Sequence, residues 1–161
     1  MKTIESLAEA ARDFLDQKRI AVAGVSRTKT GEAANLIYRK LRDSGYEVFA
    51  VNPNAHNVEG DVCYPNLAAI PGGVDGVVVC THPRISAQVA SECAELGIGR
   101  VWLHRSFGGG SVSGRAVAVC REAGLRVIAG GCPMMFCPPV DLGHRCMRFV
   151  LRWTGGLPEA A

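Results

Sequence analysis

Arg27 and Lys29 follow Gly24 within one short loop, and two cations so close behind a glycine turn suit the holding of an anion. The chemistry is electrostatic: a guanidinium, an ammonium and backbone N–H groups together cradle phosphate oxygens. A second set, Thr81-His82-Pro83-Arg84, puts a hydroxyl, an imidazole and a guanidinium side by side. A third, His104-Arg105-Ser106-Phe107, runs into Gly108-Gly109-Gly110-Ser111. Two readings of the third set stay open. One is a second anion site made by Arg105 and the start of the next helix, with Ser111 as its cap; the other is a flexible glycine turn beside one satisfied histidine. There is no nucleophile elbow, no paired-acid arrangement and no acid–base pair at contact spacing, so no catalytic residue is assigned.

Late in the chain, Cys132, Cys137, His144 and Cys146 carry zinc-ligating atoms, but without paired C-x-x-C spacing. Plain packing is the simpler account of these cysteines, as it is of Cys63, Cys80, Cys93 and Cys120, and no metal ligand is assigned. A reactive Cys132 that forms a mixed disulfide with a thiol ligand is an alternative.

Strands and helices must place these groups. The run Arg19-Ile20-Ala21-Val22-Ala23 reads as a buried strand that ends at Gly24-Val25-Ser26, a turn that can lead a helix end toward an anion. Residues 6–15 form an amphipathic helix before it, expected to cross an edge of the sheet, and residues 31–44 form a helix after it. A second strand over 46–51 ends at Asn52-Pro53-Asn54. Residues 55–65 read as an irregular loop and 66–70 as one helical turn. Further strands are expected over 74–80, 101–103 and 125–129, with helices starting at Pro83 and spanning 111–123. A final helix over 142–153 shows Leu142, Cys146, Phe149, Val150 and Trp153 on one face and Arg145, Arg148 and Arg152 on the other. A packed helix with a solvated basic face is its plain reading, and docking of a partner its sharper one. Residues 154–161 read as a loose tail.

This alternation implies an α/β class: a three-layer Rossmann-like fold with a mostly parallel sheet of five or six strands, in one domain over 1–161. The 161 residues are 48% hydrophobic with 19 glycines, which suits buried parallel strands and tight connections. A net charge of +3 is too mild to argue for nucleic acid. No stretch has the apolar length of a membrane span, and the first five residues lack a signal-peptide core, so the cytoplasm is the expected location. In such a sheet the ligand lies beyond the carboxyl ends of the strands. A nicotinamide site there needs an acid near the end of the second strand; this chain has Asn52, and Glu59 lies well into the next loop.

The strand-end segments together resemble the CoA-binding domain family, small Rossmann-like proteins similar to the CoA-binding domain of the succinyl-CoA synthetase alpha subunit. The likeness rests on Ala23-Gly24-Val25-Ser26, Val51-Asn52-Pro53, Val74-Asp75 and Cys132-Pro133, and runs from about residue 15 to 133. It implies a nucleotide ligand, CoA or an acyl-CoA. Gly24, Val25, Ser26 and Arg27 would hold the diphosphate, Asn52 and Pro53 would border the adenosine, and Thr81, His82, Pro83 and Arg84 would line the other wall. Relatives often carry a basic residue after the Asn-Pro pair; here it is Asn54, which leaves the 3′-phosphate to Lys29 or His56. The synthetases use a phosphorylated histidine from a further domain, so binding rather than ligation is expected, with a second copy or an acyl-CoA enzyme as partner. An NAD(P)-dependent oxidoreductase and a thiol or metal redox protein are the alternatives.

Overall fold

The computed structural model describes residues 6–158; the reading of the first five residues lies outside them. In chain order the elements are α1 (Leu7–Leu15), β1 (Arg19–Ala23), α2 (Ala33–Asp43), β2 (Glu47–Val51), β3 (Asn57–Val58), β4 (Asp61–Tyr64), β5 (Gly76–Val79), α3 (Pro83–Glu95), β6 (Arg100–Leu103), α4 (Gly114–Glu122), β7 (Arg126–Ala129) and α5 (Leu142–Trp153). Short 3-10 turns lie at Leu67–Ala69 and Pro133–Met135.

The sheet has seven strands in the order β3-β4-β2-β1-β5-β6-β7. All neighbours are parallel except β3 and β4. Side chains alternate between two buried layers, as the two-residue strand period requires. Ile20, Val22, Val78, Trp102 and Ile128 face α1, α2 and α5. Ala21, Ala23, Val77, Val79, Val101 and Leu103 face α3 and α4. This is the expected three-layer Rossmann-like arrangement, with more strands than the five or six expected.

The surplus comes from residues 55–65. They are not irregular: β3 and β4 form a hairpin, with Asn57 opposite Val62 and Val58 opposite Asp61. Its two-residue turn is Glu59-Gly60, at φ 50° and 83°. Turns with two positive φ values normally carry Asn-Gly or Asp-Gly, and a glutamate there hides the hairpin from a sequence reading.

At its start α1 is closed by a capping box: Ser6 Oγ accepts the Glu9 N–H, and Glu9 Oε2 accepts the Ser6 N–H at 2.8 Å. Phe14 meets Trp102 edge-on at 5.4 Å. Asp13 holds Arg100 with both oxygens, at 2.7 and 3.1 Å, and Arg126 at 2.9 Å. These contacts seat α1 over the β6–β7 side of the sheet, at the amino ends of the strands.

Helix α5 has the expected span, and Arg145 and Arg152 are exposed as expected, but its apolar stripe does not face inward. Leu142, Phe149, Val150 and Trp153 are exposed, as is Cys146, and Leu151 is the buried residue of the helix. Met147 packs inward with Leu151, and the Arg148 guanidinium lies 4.5 Å from the centre of the Phe136 ring. A count of apolar positions cannot foresee that a guanidinium stacked on a ring can serve as the inner face. Residues 154–158 are not loose either. The Gly156 N–H bonds to the Leu151 carbonyl at 2.8 Å, and Leu157 packs against the core.

Candidate functional site

Because the main strands are parallel, the loops after β1, β2, β5, β6 and β7 emerge along one edge. From β1 the chain proceeds to β2 on one side, while β5 lies on the other, so the order reverses between β1 and β5. A crevice at such a reversal is where open α/β sheets receive ligands. Gly24 and Thr81 stand on its two sides. Gly24 adopts φ 101°, and a Cβ there would lie 2.8 Å from the Cys80 carbonyl oxygen. Both conformation and space therefore demand glycine.

In the loop over 24–31 part of the backbone is engaged, while the N–H groups of Val25, Arg27, Thr30 and Gly31 make no hydrogen bond among the described residues. Gly24 N–H bonds to the Val51 carbonyl at 2.9 Å. Ser26 N–H donates to Asn35 Oδ1 at 2.9 Å, and the N–H groups of Thr28 and Lys29 donate to Ser26 Oγ at 3.3 and 3.0 Å. Further open donors lie at the start of the helix that follows. Glu32 stands at the N-cap of α2 without a side-chain cap bond, whereas Ser6, His82, Ser113 and Asp141 cap the other four helices. The first turn of α2 thus presents N–H groups and a positive dipole end. Arg27 is exposed beside it, and so is Lys29, 4.0 Å from Glu32.

Across the crevice, Thr81 Oγ1 lies 3.2 Å from the buried Ser86 Oγ. His82 Nδ1 accepts the Arg84 N–H at 3.2 Å and Pro83 opens α3, as the sequence implies. The Arg84 side chain is exposed. Asn52 ties the neighbouring loops together: its Nδ2 donates to the Val25 carbonyl and its Oδ1 accepts the Asn54 N–H, both at 2.9 Å. Pro53, Asn54 and His56 are exposed beyond it. Among the described residues, no carboxylate pairs with the side chains of Arg27, Arg84 or Arg105.

The glycine loop after β6 closes on itself. Ser111 N–H donates to the His104 carbonyl at 2.7 Å, and a Cβ on Gly110 would lie 2.4 Å from that same oxygen. Ser111 is buried and does not cap α4; Ser113 does, its Oγ accepting the Ala116 N–H at 3.1 Å. The Arg105 N–H bonds to the Gly131 carbonyl at 3.0 Å, and its Nε passes over Gly130. His104 is buried with Nε2 3.1 Å from Ser106 Oγ; burial, and then His144, lower its pKa to about 4.

Cys132 and Pro133 are buried at the start of the 3-10 turn after β7, and burial pushes the Cys132 thiol up to about 11. The Cys80 thiol is pushed up for the same reason, with Cys132 adding to it. Neither favours a thiolate. The late cysteines are not brought together: Cys137 Sγ lies 3.7 Å from Ser44 Oγ, Cys146 is exposed on α5, and His144 pairs with Asp141 at 2.6 Å. Among the described residues, no three His, Cys, Asp or Glu side chains are placed to hold a metal ion.

Two residues next to this site, Asn35 and Arg39, escaped the sequence reading, and Glu59 was read there only as an acid too far along the next loop to meet a ribose. Asn35 is fully buried and also donates Nδ2 to the Ser26 carbonyl at 2.8 Å. The available signal was a lone polar residue on the inward face of α2, beside Ala34, Ile37, Tyr38 and Leu41.

A doubly wound parallel sheet with its strand-end loops gathered at a switch point defines a Rossmann-like domain. The chain belongs to the CoA-binding domain family, whose model, described as CoA binding domain, matches residues 18–138. It is 31% identical over 124 residues to acetate–CoA ligase (ADP-forming) II of Archaeoglobus fulgidus; the match takes in 72% of this chain and 18% of that protein. The chain thus spans less than a fifth of that relative. Uncharacterized protein YneT of Bacillus subtilis is 29% identical over 79% of this chain and 90% of its own. A solved hypothetical protein from Pyrococcus horikoshii superposes with a TM-score of 0.75 at 26% identity, covering 87% of this chain and 99% of that one.

Proposed function

We propose that this chain binds CoA or an acyl-CoA at the carboxyl edge of its sheet and does no chemistry on it. One observation carries this reading: the uncapped start of α2 faces the same edge as cations without carboxylate partners, chiefly Arg27. An unsatisfied helix end beside exposed guanidinium groups is suited to a diphosphate. In this reading the diphosphate lies by Gly24, Val25, Ser26 and Arg27, and the adenosine by Asn52 and Pro53. Thr81, His82, Pro83 and Arg84 form the far wall, and Lys29 or His56 meets the 3′-phosphate. Arg105, Cys132 and Pro133 border the remainder.

Among the described residues, a nicotinamide ribose finds no unengaged acid beside the end of β2. The Asn52 amide is engaged on both sides, and the Glu59 carboxylate accepts from Asn35 and Arg39. The seven free cysteines suit a reducing compartment, and we place the protein in the cytoplasm. No helix among the described residues is long and apolar enough to cross a membrane. An enzyme that makes or uses acyl-CoA, or a second copy of the chain, is the fitting partner.

Titration calorimetry with CoA, acetyl-CoA, NAD and NADP tests this. CoA is expected to bind, with Arg27→Ala weakening it about tenfold, as loss of a charge-assisted hydrogen bond does. Arg148→Ala is expected to leave affinity unchanged. Binding of NAD with no binding of CoA overturns the proposal, and equal affinities in the two variants remove Arg27 from the site.

A further inference from the structure

Both ends of the cation-bearing loop converge on one carboxylate oxygen. At its start, Ser26 is gripped by Asn35, which accepts from the Ser26 N–H at 2.9 Å and donates to the Ser26 carbonyl at 2.8 Å. At its end, the Thr30 carbonyl accepts from Arg39 Nη1 at 3.0 Å. The same Asn35 Nδ2 and the same Arg39 Nη1 both donate to Glu59 Oε1, at 2.6 and 2.8 Å. Arg27 and Lys29 lie between the two gripped ends.

We propose that Glu59 is a positioning residue for the anion site, a clasp that fixes the loop over 26–30 from the tip of the β3–β4 hairpin. This rests on the CoA-binding reading above. Three facts set Glu59 apart from an incidental surface acid. Its side chain is only 9% exposed, yet both of its partners point back to the loop. Its hydrogen bonds from Asn35 and then Arg39 hold its carboxyl below the usual range, so it is charged wherever the protein is folded near neutrality. It is also the one non-glycine residue at positive φ among those described, at 50°, a conformation that persists where surrounding contacts enforce it. The carboxylate fixes the Asn35 amide with Nδ2 toward Glu59 and Ser26 O, which leaves Oδ1 for Ser26 N–H. It also pairs with the Arg39 guanidinium, which is thereby held against the Thr30 carbonyl.

Asp61 supplies the control. It sits on the same hairpin and binds Tyr38 Oη at 2.8 Å and Arg42 Nη1 at 2.7 Å, so it too fastens the hairpin to α2, but it makes no bond to the loop. A merely structural role for Glu59 predicts that the two acids behave alike. The test compares Glu59→Ala, Glu59→Gln, Asp61→Ala and Asn35→Ala by calorimetry with CoA and by amide hydrogen exchange in the ligand-free protein. Glu59→Ala is expected to weaken CoA about tenfold and to speed exchange at Ser26, Thr28 and Lys29; Glu59→Gln, which keeps an acceptor, recovers most of both. Asp61→Ala is expected to lower the melting temperature and to leave affinity and loop exchange unchanged. Asn35→Ala, should it fold, reproduces Glu59→Ala. Unchanged loop exchange in Glu59→Ala, or an equal loss of affinity in Asp61→Ala, overturns the clasp. If the wild type fails to bind CoA, the functional reading falls, while the exchange data still decide the clasp.

Discussion

His104 stands buried just past the end of β6, with Ser106 Oγ as its one side-chain partner among the described residues, and burial followed by His144 lowers its pKa to about 4. The unfolded chain binds that proton at about pH 6.5, so between about 4 and 6.5 the unfolded state holds more protons and stability rises with pH. The contribution is complete above about pH 6.5 and is lost as pH falls toward 4, on the order of 3 kcal/mol at most. Denaturant melts of wild type and His104→Gln across that range check it, and the variant is expected to show a flatter profile. Histidine and its glycine-rich neighbours were visible in the sequence, but burial was not. Type and spacing mark a residue as able to titrate; only the fold decides whether water reaches it. Asn35 is the converse case, a side chain with no chemistry of its own whose value lies in two bonds to Ser26.

At the scale of elements, a single carboxylate fastens α1 to the sheet. Asp13 takes Arg100 in a two-pronged grip and Arg126 alongside, and the hydrogen bond from Arg100 is the main cause of its lowered pKa. Asp13→Asn is expected to cost about 1 kcal/mol, a modest figure because these groups keep partial access to water. The loss should vanish as wild type is acidified below the usual carboxylate range, where Asp13 takes up its proton. Thermal melts at neutral and acid pH read this out. Helices and long strands were legible from apolar spacing and glycine stops. The β3–β4 hairpin was not, because strands of two and four residues carry too few side chains for a pattern, and Glu59-Gly60 does not advertise its turn. The proposed clasp on the loop over 26–30 hangs from that hairpin, so the element hardest to read is the one on which the proposed site leans.

For the molecule as a whole, the three-layer class with a mostly parallel sheet follows from buried apolar runs alternating with helices, and it was readable on those grounds, whereas the seven-strand order was not. The inner face of α5 was not readable either, since a guanidinium stacked on Phe136 takes the place that apolar spacing assigns to the Phe149 and Trp153 stripe. Trp102 and Trp153 register the outcome. Trp102 is fully buried, with Nε1 donating to the Gly130 carbonyl at 2.9 Å, while Trp153 is 78% exposed on the outer face of α5. The intrinsic fluorescence is therefore the sum of a sheltered emitter and a wet one. Acrylamide is expected to extinguish only the red-shifted part, and Trp153→Phe to leave a blue, unquenchable spectrum. Whatever molecule comes to rest on that outer stripe will announce itself as a shift to shorter wavelength, without any label being added.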